Sequence, residues 1–438
     1  MLRSRRVRTV AAVGALAVAL GLVPGPGDQA AEAAPRTFTI VGGGWGHGIG
    51  MSQYGAHGMA RRGASAGRII SFYYGGAQAR PATLPATIRV GLLQASHDPS
   101  AGGRLGRVLV RGVEVPGKGG SGRFSVSGVT PGGRTLRRSL SGHTTFSIRP
   151  ESGGTSVFDP SRRRVFGPTR AGTGVVVRFQ TALPPARLSL PQTGQQLRWG
   201  RLDVHLVRDN RGVTRPRAVA VIPFNRYLRG LAEVPGSFAN EALRAQAIAA
   251  RSYALYAVRT RTQRWRHGRW DGCDCAVYGT VRDQRFTGYA MERGYNGSRW
   301  VAAVRSTGSQ VVRYGPRVVQ AFYSSSSGGY TSSNSQWGSR PLPWFPSRSD
   351  DPYDRGGGAH RNPNFRWKKT VSAAALGARL GIGTATRVRE TKLPSWGGRV
   401  SRVTVEGVKN GRRTSVTVTG TWFRKAYNLK STKFHISP

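Results

Sequence analysis

The segment Gly230-Leu-Ala-Glu-Val-Pro235 carries one acidic residue, Glu233, among apolar neighbours. The residue before a proline favours extended backbone, so Glu233 is predicted to lie in a loop or at a strand end and not in a helix. Acidic residues are scarce, with 19 Asp plus Glu in 438 residues. Burial disfavours the charged form of a carboxyl group, and a carboxylate in apolar surroundings is typical of an acid/base residue. An ion pair with Arg229 or Arg244 is the structural alternative.

The run Asn240-Glu-Ala-Leu-Arg-Ala-Gln-Ala-Ile-Ala-Ala-Arg-Ser-Tyr-Ala-Leu255, which follows this segment, predicts a helix. The helix is expected to begin after Gly236, with Ser237 or Asn240 as its N-cap and Glu241 in its first turn. Four residues at helical spacing form its expected buried face: Leu243, Ala247, Ala250 and Ala254. So many alanines on one face allow the helix to pack close to its neighbours.

The rest of the chain is dominated by short alternating runs between Gly, Pro and Ser turns, which predicts strands from Ile88 to Leu206. Further predictions are a strand at Thr37–Val41, a helix at Ser52–Met59, loops at Asp350–Asp354 and Gly356–Gly358, a small helix from Ser372, and strands at Val400–Val405 and Ser415–Val418. The expected fold class is therefore α+β and β-rich, with one long alanine-rich helix after the Glu233 loop.

The formal charge of the chain is +48, from 67 Lys plus Arg. Such a charge attracts polyanions and says nothing about the fold. The N-terminus has four arginines, an apolar run at Val10–Val23 and a small-residue site at Ala31–Ala33, which together predict a secretory signal peptide. We therefore expect an extracytoplasmic, cell-wall-associated protein without a membrane span, whose partners are wall phosphates and carboxylates and not nucleic acid.

The Glu233 segment and the helix after it resemble the SpoIID/LytB family of stage II sporulation protein D and the amidase enhancer. That family has the pattern Tyr-Leu-x-Gly-Val-Val-x-x-Glu-Met-Pro, followed by Glu-Ala-Leu-Lys-Ala-Gln-Ala-Val-Ala-Ala-Arg-Thr-Tyr-Ala. Glu233 occupies the position of the family's catalytic glutamate. The resemblance implies lytic cleavage of peptidoglycan glycan strands between N-acetylmuramic acid and N-acetylglucosamine, with one glutamate as general acid and base.

A second motif, Gly43-Gly-Trp-Gly-His47-Gly-Ile-Gly-Met-Ser52-Gln53-Tyr-Gly-Ala, resembles a family motif that usually lies near the C-terminus, whereas here it leads the chain. Tyr323–Thr331, Trp337–Trp344 and the tail from Gly398 to Phe434 resemble further family segments. We predict a signal peptide at 1–33, a Gly-His-Gly segment at 36–80 that docks on the core, a core domain at 85–370, and a strand-rich tail of the same domain at 371–438.

Glycines around His47 allow a ligand to approach closely, so this loop is a candidate glycan site. The candidate substrate-binding residues are His47, Ser52, Gln53, Gln246, Arg251 and Ser252. The alternatives are a tight turn with a structural histidine and ordinary helix packing. The serine run Ser324–Ser327 lacks a nucleophile motif and is interpreted as a loop lining the cleft.

The spacing His267-x5-Cys273-Asp-Cys275 partly resembles a zinc site of some family members. Three ligands do not complete a tetrahedral structural site, and Asp271, Asp274 or His360 are candidates for the fourth. A Cys273–Cys275 disulfide is the alternative in an oxidising compartment. No cofactor is required for the expected chemistry, and zinc remains open.

Three functions fit these observations. The first is a secreted lytic transglycosylase. The second is a non-catalytic wall-binding protein that enhances an N-acetylmuramoyl-L-alanine amidase, which would then be its partner. The third is a secreted polyanion binder that acts through charge alone, for which steep salt dependence is the signature.

Overall fold

The structure is a computed structural model that describes residues 36–93, 107–113, 123–140, 144–179, 187–208, 214–266 and 274–438. The predicted signal peptide lies outside the described residues. Among the described helices, none combines the length and the apolar character needed to cross a membrane.

The strands are β1 (Thr37–Gly42), β2 (Met51–Ser52), β3 (Gln78–Pro81), β4 (Thr87–Leu93), β5 (Val108–Val113), β6 (Phe124–Val129), β7 (Thr135–Leu140), β8 (Thr145–Glu151), β9 (Gly154–Phe158), β10 (Arg164–Phe166), β11 (Val175–Phe179), β12 (Arg187–Leu190), β13 (Gln195–Leu197), β14 (Arg201–Arg208), β15 (Thr214–Pro223), β16 (Val277–Tyr278), β17 (Gln310–Tyr314), β18 (Arg317–Val318), β19 (Tyr323–Ser324), β20 (Trp367–Ser372), β21 (Thr384–Leu393), β22 (Arg399–Lys409), β23 (Arg412–Thr419) and β24 (Phe434–Ser437). The α-helices are α1 (Gln53–Arg61), α2 (Ala66–Tyr73), α3 (Phe224–Arg229), α4 (Asn240–Arg266), α5 (Tyr289–Arg293), α6 (Gly297–Ser306), α7 (Asp351–Asp354), α8 (Ala373–Leu380) and α9 (Gly420–Ala426). The predicted β-rich α+β fold is confirmed.

Two sheets form the largest core. One has the strand order β16-β4-β15-β14-β11-β6-β7 and the other β10-β9-β8-β5-β12-β13. Alternate residues of both sheets, such as Val90 in β4 and Val110 in β5, are buried in a single hydrophobic cluster. The period-2 runs predicted between Ile88 and Leu206 are therefore strands of these sheets, with one face of each turned inward.

Helix α4 lies between two hydrophobic clusters. The predicted face is confirmed, since Leu243, Ala247, Ala250 and Ala254 all join the core of the two large sheets. The opposite face is buried as well, with Ala242, Ala245, Ile248 and Ala249 in a second cluster that contains α1 and α2. Because both faces are covered, the side chains of α4 on both faces are held in place by packing.

The two ends of the described chain meet in one sheet. Strand β1 pairs antiparallel with β20 on one side and with β24 on the other. The residues after β1 pair with a segment near residue 326 as well. Trp45 forms an isolated β-bridge with Ser326, Ile49 forms one with Ser332, and β2 pairs parallel with β19. The Gly-His-Gly motif is thus held among residues 322–332 by main-chain contacts. The predicted domain boundaries remain a prediction.

A pair of fully buried carboxylates, Asp350 and Asp354, joins several segments of the chain. Ser52 and Ser326 donate to Asp354 over 2.6 and 2.8 Å, and Ser327 donates to Asp350 over 2.5 Å. Burial, followed by the nearby Asp354 charge, raises the pKa of Asp350 to about 7.

A fully buried arginine, Arg399, supplies positive charge near both carboxylates and donates to the carbonyls of Gly46 and Ser327. The expectation of a plain loop at Asp350–Asp354 is wrong: residues 351–354 form α7, with Pro352 in the first turn, where proline is favoured.

Gly48 packs closely against the guanidinium group of Arg399. Its φ is +74°, and a Cβ there would lie 2.1 Å from Nη2 of Arg399. Gly411 is a matched control, because its φ is +73° and a Cβ would meet no atom within 4 Å. We expect Gly411→Ala to destabilise by about 1–2 kcal/mol through left-handed strain, and Gly48→Ala by about a further 1–3 kcal/mol through overpacking. Thermal unfolding midpoints measure this, and equal losses in the two variants would contradict it.

Candidate active site

Glu233 lies in the loop between α3 and α4, as predicted, and main-chain contacts hold this loop in place. Leu231 forms an isolated antiparallel bridge with Phe286, and the N–H of Ala232 donates to the carbonyl of Arg285 over 2.8 Å. The N–H of Arg285 in turn donates to Oε1 of Glu233. The main chain therefore orients the carboxyl group, and Oε2 has no protein hydrogen-bond partner within the described ranges.

The surroundings of Glu233 are apolar although its side chain is partly exposed. The neighbours Leu231, Val234 and Phe238 are 1%, 7% and 6% exposed. Burial raises the pKa of Glu233 to about 7, while the N–H and the charge of Arg285 lower it by a smaller amount. A carboxyl with this pKa is half protonated near neutral pH, which suits a group that both gives and accepts a proton.

The structure does not contain the ion pairs considered for Glu233. Arg244 pairs with Glu241 at 2.5 Å, and the charge of Arg229 interacts with Glu292. In the part of the chain that the structure describes, no cationic side chain forms an ion pair with Glu233. Its pKa is thus set by burial and not by a salt bridge.

Two tyrosines lie within electrostatic reach of Glu233. Its charge contributes to the raised pKa of Tyr227 and of Tyr323, although burial is the larger cause for both. A fully buried amide, Gln284, joins them: Tyr227 donates to its Oε1 over 2.9 Å, and its Nε2 donates to the hydroxyl of Tyr323 over 2.8 Å. Within the described ranges no protein atom accepts a hydrogen bond from the O–H of Tyr323, which is therefore available as a donor.

Main-chain groups hold the ring of His47 in place. Nδ1 accepts from the N–H of Ile49 over 3.0 Å, and a hydrogen bond links the ring to the backbone of Tyr323. Burial, followed by the charge of Arg399, lowers the pKa of His47 to about 3, so the ring is neutral at physiological pH. His47 thereby ties the Gly-His-Gly loop to the residue whose side chain lies near Glu233. Its glycan-binding role remains a prediction.

Exposed aromatic rings surround this loop. Trp337 is 49% exposed and contacts His47 edge to face, with ring centroids 5.3 Å apart. Trp45, two residues before His47, is 53% exposed, and the ammonium group of Lys430 lies 5.5 Å from its ring centroid. Large exposed apolar surfaces next to polar groups are typical of ligand sites.

Three further candidate residues, Ser52, Gln53 and Gln246, are buried. Ser52 caps α1 through the N–H of Gly55 and donates to Asp354. Gln53 donates to Gln246 of α4 over 3.4 Å, while Nε2 of Gln246 is buried without a partner in the described structure. These three side chains join α1 to its neighbours, and their predicted contact with glycan is untested.

Arg251 and Ser252 on α4 have no exposed surface. Arg251 donates to the carbonyls of Gln310 and Val304, and Ser252 donates to those of Val312 and Val319. These bonds fix α4 against α6 and β17. Because their polar groups are used inside the protein, we do not include them in the proposed glycan site.

The predicted zinc ligands lie largely outside the described residues, which exclude His267, Asp271 and Cys273. Cys275 is described and is disulfide-bonded. Of the other candidate ligands, Asp274 pairs with Arg89, and His360 lies beside His57. Within the described ranges, no group of three His, Cys, Asp or Glu side chains could hold a metal ion.

Sequence reasoning did not assign roles to Tyr323, Gln284 or Trp337. Two of them lie in the segments Tyr323–Thr331 and Trp337–Trp344, which resemble the family, so that signal was present. No pattern in the sequence indicated Gln284. Its hydrogen bonds are to residues of α3, α4 and β19, which come together only in the folded structure.

Comparison with known proteins supports the resemblance. Residues 214–314, which include Glu233 and α4, match the SpoIID family model, described as stage II sporulation protein. Over this segment the chain is similar to the SpoIID/LytB family. The amidase enhancer of Bacillus subtilis strain 168 is 29% identical over 144 residues, which are 33% of this chain and 16% of the relative. Stage II sporulation protein D of the same strain is 50% identical over 42 residues, or 10% of this chain and 12% of the relative.

These alignments cover less than a fifth of each SpoIID/LytB relative, so the activity of the whole relatives is not carried over directly. No solved structure matches the chain.

The raised pKa of Glu233 predicts a pH-dependent stability. The folded-state pKa of about 7 exceeds the ordinary value of 4.5, so the contribution of Glu233 to stability is complete below pH 4.5 and is lost as the pH rises through 7. We expect Glu233→Gln, which cannot ionise but can still accept from Arg285, to gain thermal stability relative to the natural protein between pH 5 and pH 8. Glu406→Gln, which alters a glutamate paired with Arg389 on β22, should show no such gain. A pH-independent difference for Glu233→Gln would contradict burial of this carboxyl.

Proposed function

We propose that the protein is an extracytoplasmic lytic transglycosylase that cleaves peptidoglycan between N-acetylmuramic acid and N-acetylglucosamine, with Glu233 as its single acid/base. The observation that carries this proposal is a carboxyl group that is partly accessible and oriented by the main chain, and whose pKa burial raises to about 7. The family relationship and the name of the amidase enhancer support a role at the cell wall.

The hydrogen bond to Oε1 indicates how the proton is presented. Because Oε1 accepts from the N–H of Arg285, the proton of the neutral carboxyl resides on Oε2, which faces no protein acceptor among the described residues. Glu233 then protonates the glycosidic oxygen as the bond to the anomeric carbon breaks. The departing N-acetylglucosamine unit leaves with a free hydroxyl.

The same carboxylate completes the reaction. It accepts the proton of the C6 hydroxyl of N-acetylmuramic acid while that oxygen bonds to the anomeric carbon. The product is a 1,6-anhydro sugar, no water is consumed, and Glu233 returns to its protonated form. In this scheme the O–H of Tyr323 donates to the carboxylate or to the sugar while the negative charge is present.

A two-carboxylate hydrolase is less compatible with this site. A retaining glycosidase needs a free nucleophile about 5 Å from the acid. Asp283 lies in the same region, since its charge also acts on Tyr227. Its carboxylate is, however, occupied by Arg261, the hydroxyl of Tyr253 and the N–H of Tyr278, and these bonds lower its pKa.

The second candidate is the non-catalytic amidase enhancer, favoured by the similarity to a relative of that name. Both candidates require glycan binding, and we assign this to the exposed rings of Trp45 and Trp337. Aromatic faces offer a large contact area at a small loss of conformational entropy. The two candidates differ only in whether new glycan ends are formed.

Incubation of the mature protein with purified glycan strands tests the proposal. We expect 1,6-anhydro-ended fragments, and a decline in kcat/KM as the pH rises above about 7, because the first step needs protonated Glu233. Glu233→Gln should abolish the fragments. Glu292→Gln is the matched control, because burial also raises the pKa of Glu292 but it lies on α5 beside Arg229. If the natural protein binds glycan strands but forms no new glycan ends, the result contradicts the transglycosylase and favours the enhancer function.

Replacement of the exposed tryptophans tests the glycan surface. We expect Trp45→Ala and Trp337→Ala each to weaken binding to glycan strands by about tenfold, as the loss of a stacked aromatic contact implies. Trp422 is the control, since it is 41% exposed on α9 and has no ring contact in the described structure. Sedimentation with insoluble peptidoglycan measures the binding. Equal effects of all three substitutions would place the glycan elsewhere.

A further inference from the structure

A cavity of about 180 Å³ opens where the end of α1 meets α7 and the loop that follows it. Six of its lining residues are chemically informative: His57, Arg61, Arg62, Gly356, Gly357 and His360. The proposed reaction uses none of them. The cavity volume is several times that of one water molecule, which takes up about 30 Å³ in the liquid.

The charge of the cavity is positive. Arg61 and Arg62 are exposed, and neither forms an ion pair with any described residue. The guanidinium of Arg62 lies over the ring of Tyr353, 5.1 Å from its centroid, which restricts its position. The acidic lining residue, Asp354, is fully buried and its oxygens are occupied by the bonds described above. Nearby Asp351 is paired with Arg355 at 2.9 Å.

His57 presents a fixed donor to this cavity. Its ring stacks on Phe238 with centroids 4.4 Å apart, and Nδ1 accepts from the N–H of Ala239 over 3.0 Å. The proton of the neutral ring is therefore on Nε2. The side chain is only 6% exposed, and Nε2 has no acceptor among the residues that the structure describes. The ring of His360 lies edge to face with it at 5.5 Å and borders the same space.

The loop after α7 adds main-chain donors. The N–H groups of Gly356 and Gly357 donate to no protein atom in the described structure. Gly356 has a φ of +65° and Gly358 a φ of +52°, and a Cβ on Gly356 would lie 2.3 Å from the carbonyl oxygen of His360. Only glycine therefore fits at 356. Successive free N–H groups in such left-handed turns form concave sites for anions.

We propose that this cavity is an oxyanion-binding site that takes a phosphate or carboxylate group. Two arginines, His57 with its free Nε2–H and two glycines with unbonded main-chain N–H groups line it without a competing free carboxylate. Charged oxygens match such donors better than neutral groups do. Phosphodiester polymers and peptide carboxylates share this chemistry. The proposal does not depend on the transglycosylase reaction.

Calorimetric titration of the full chain at pH 7 and constant ionic strength tests the site. Inorganic phosphate is the first probe, a glycerol phosphodiester oligomer represents polymer phosphate, and N-acetyl-D-alanyl-D-alanine represents a peptide carboxylate. We expect saturable binding of phosphate and of one of the other probes, which identifies the source. The double variant Arg61→Gln/Arg62→Gln should weaken binding by about tenfold or more, as loss of a charged hydrogen bond implies.

Arg412→Gln/Arg413→Gln is the matched control, because it removes two adjacent exposed arginines from β23 and the same net charge. This variant should bind phosphate as the natural protein does. As an independent readout, phosphate should shift the NMR resonances of the His57 ring but not those of His435, which lies beside Glu390. Absence of saturable phosphate binding, or equal losses in the two double variants, would overturn the proposal.

Discussion

The buried carboxylates Asp350 and Asp354 hold together the segments on which the candidate site depends. Asp354 accepts from Ser52, just before α1, from Ser326 and from the N–H groups of Gly328 and Gly329. A buried charge is unfavourable unless it is paired and hydrogen-bonded, so these donors and the nearby Arg399 must all be in place. This requirement fixes the relative positions of the Gly-His-Gly loop, the serine-rich segment and the C-terminal part of the chain.

The position of Tyr323 follows from that arrangement. Its backbone binds His47, its strand pairs with β2, and its hydroxyl meets Gln284 next to Glu233. Two kinds of buried carboxylate are therefore linked through this strand: Asp350 and Asp354 are fully buried and hydrogen-bonded, and Glu233, the proposed acid/base, is partly exposed with a raised pKa. The first is fully buried and hydrogen-bonded within the protein. The second keeps one oxygen unpartnered in the described structure.

Local patterns in the sequence were enough to predict the loop with Glu233, the buried face of α4 and the strands of the two large sheets. Each depends on residues close together in the chain, such as Val234 before Pro235 or alanines at helical spacing. The residues from Asp350 to Asp354 were predicted to be a loop, because nothing near them in sequence indicates a helix or the burial of their carboxylates. The groups that donate hydrogen bonds to the carboxylates of Asp350 and Asp354 lie in distant segments of the chain, as do the partners of Gln284. Contacts between distant segments cannot be derived from local periodicity.

Strand β1 lies between β20 and β24, so both ends of the described chain are neighbours in one three-stranded sheet. During synthesis the Gly-His-Gly loop emerges early, whereas the strands that pair with β1, at residues 367–372 and 434–437, emerge much later. Strand β1, which leads into this loop, therefore cannot complete its main-chain hydrogen bonds until both β20 and β24 have been synthesised.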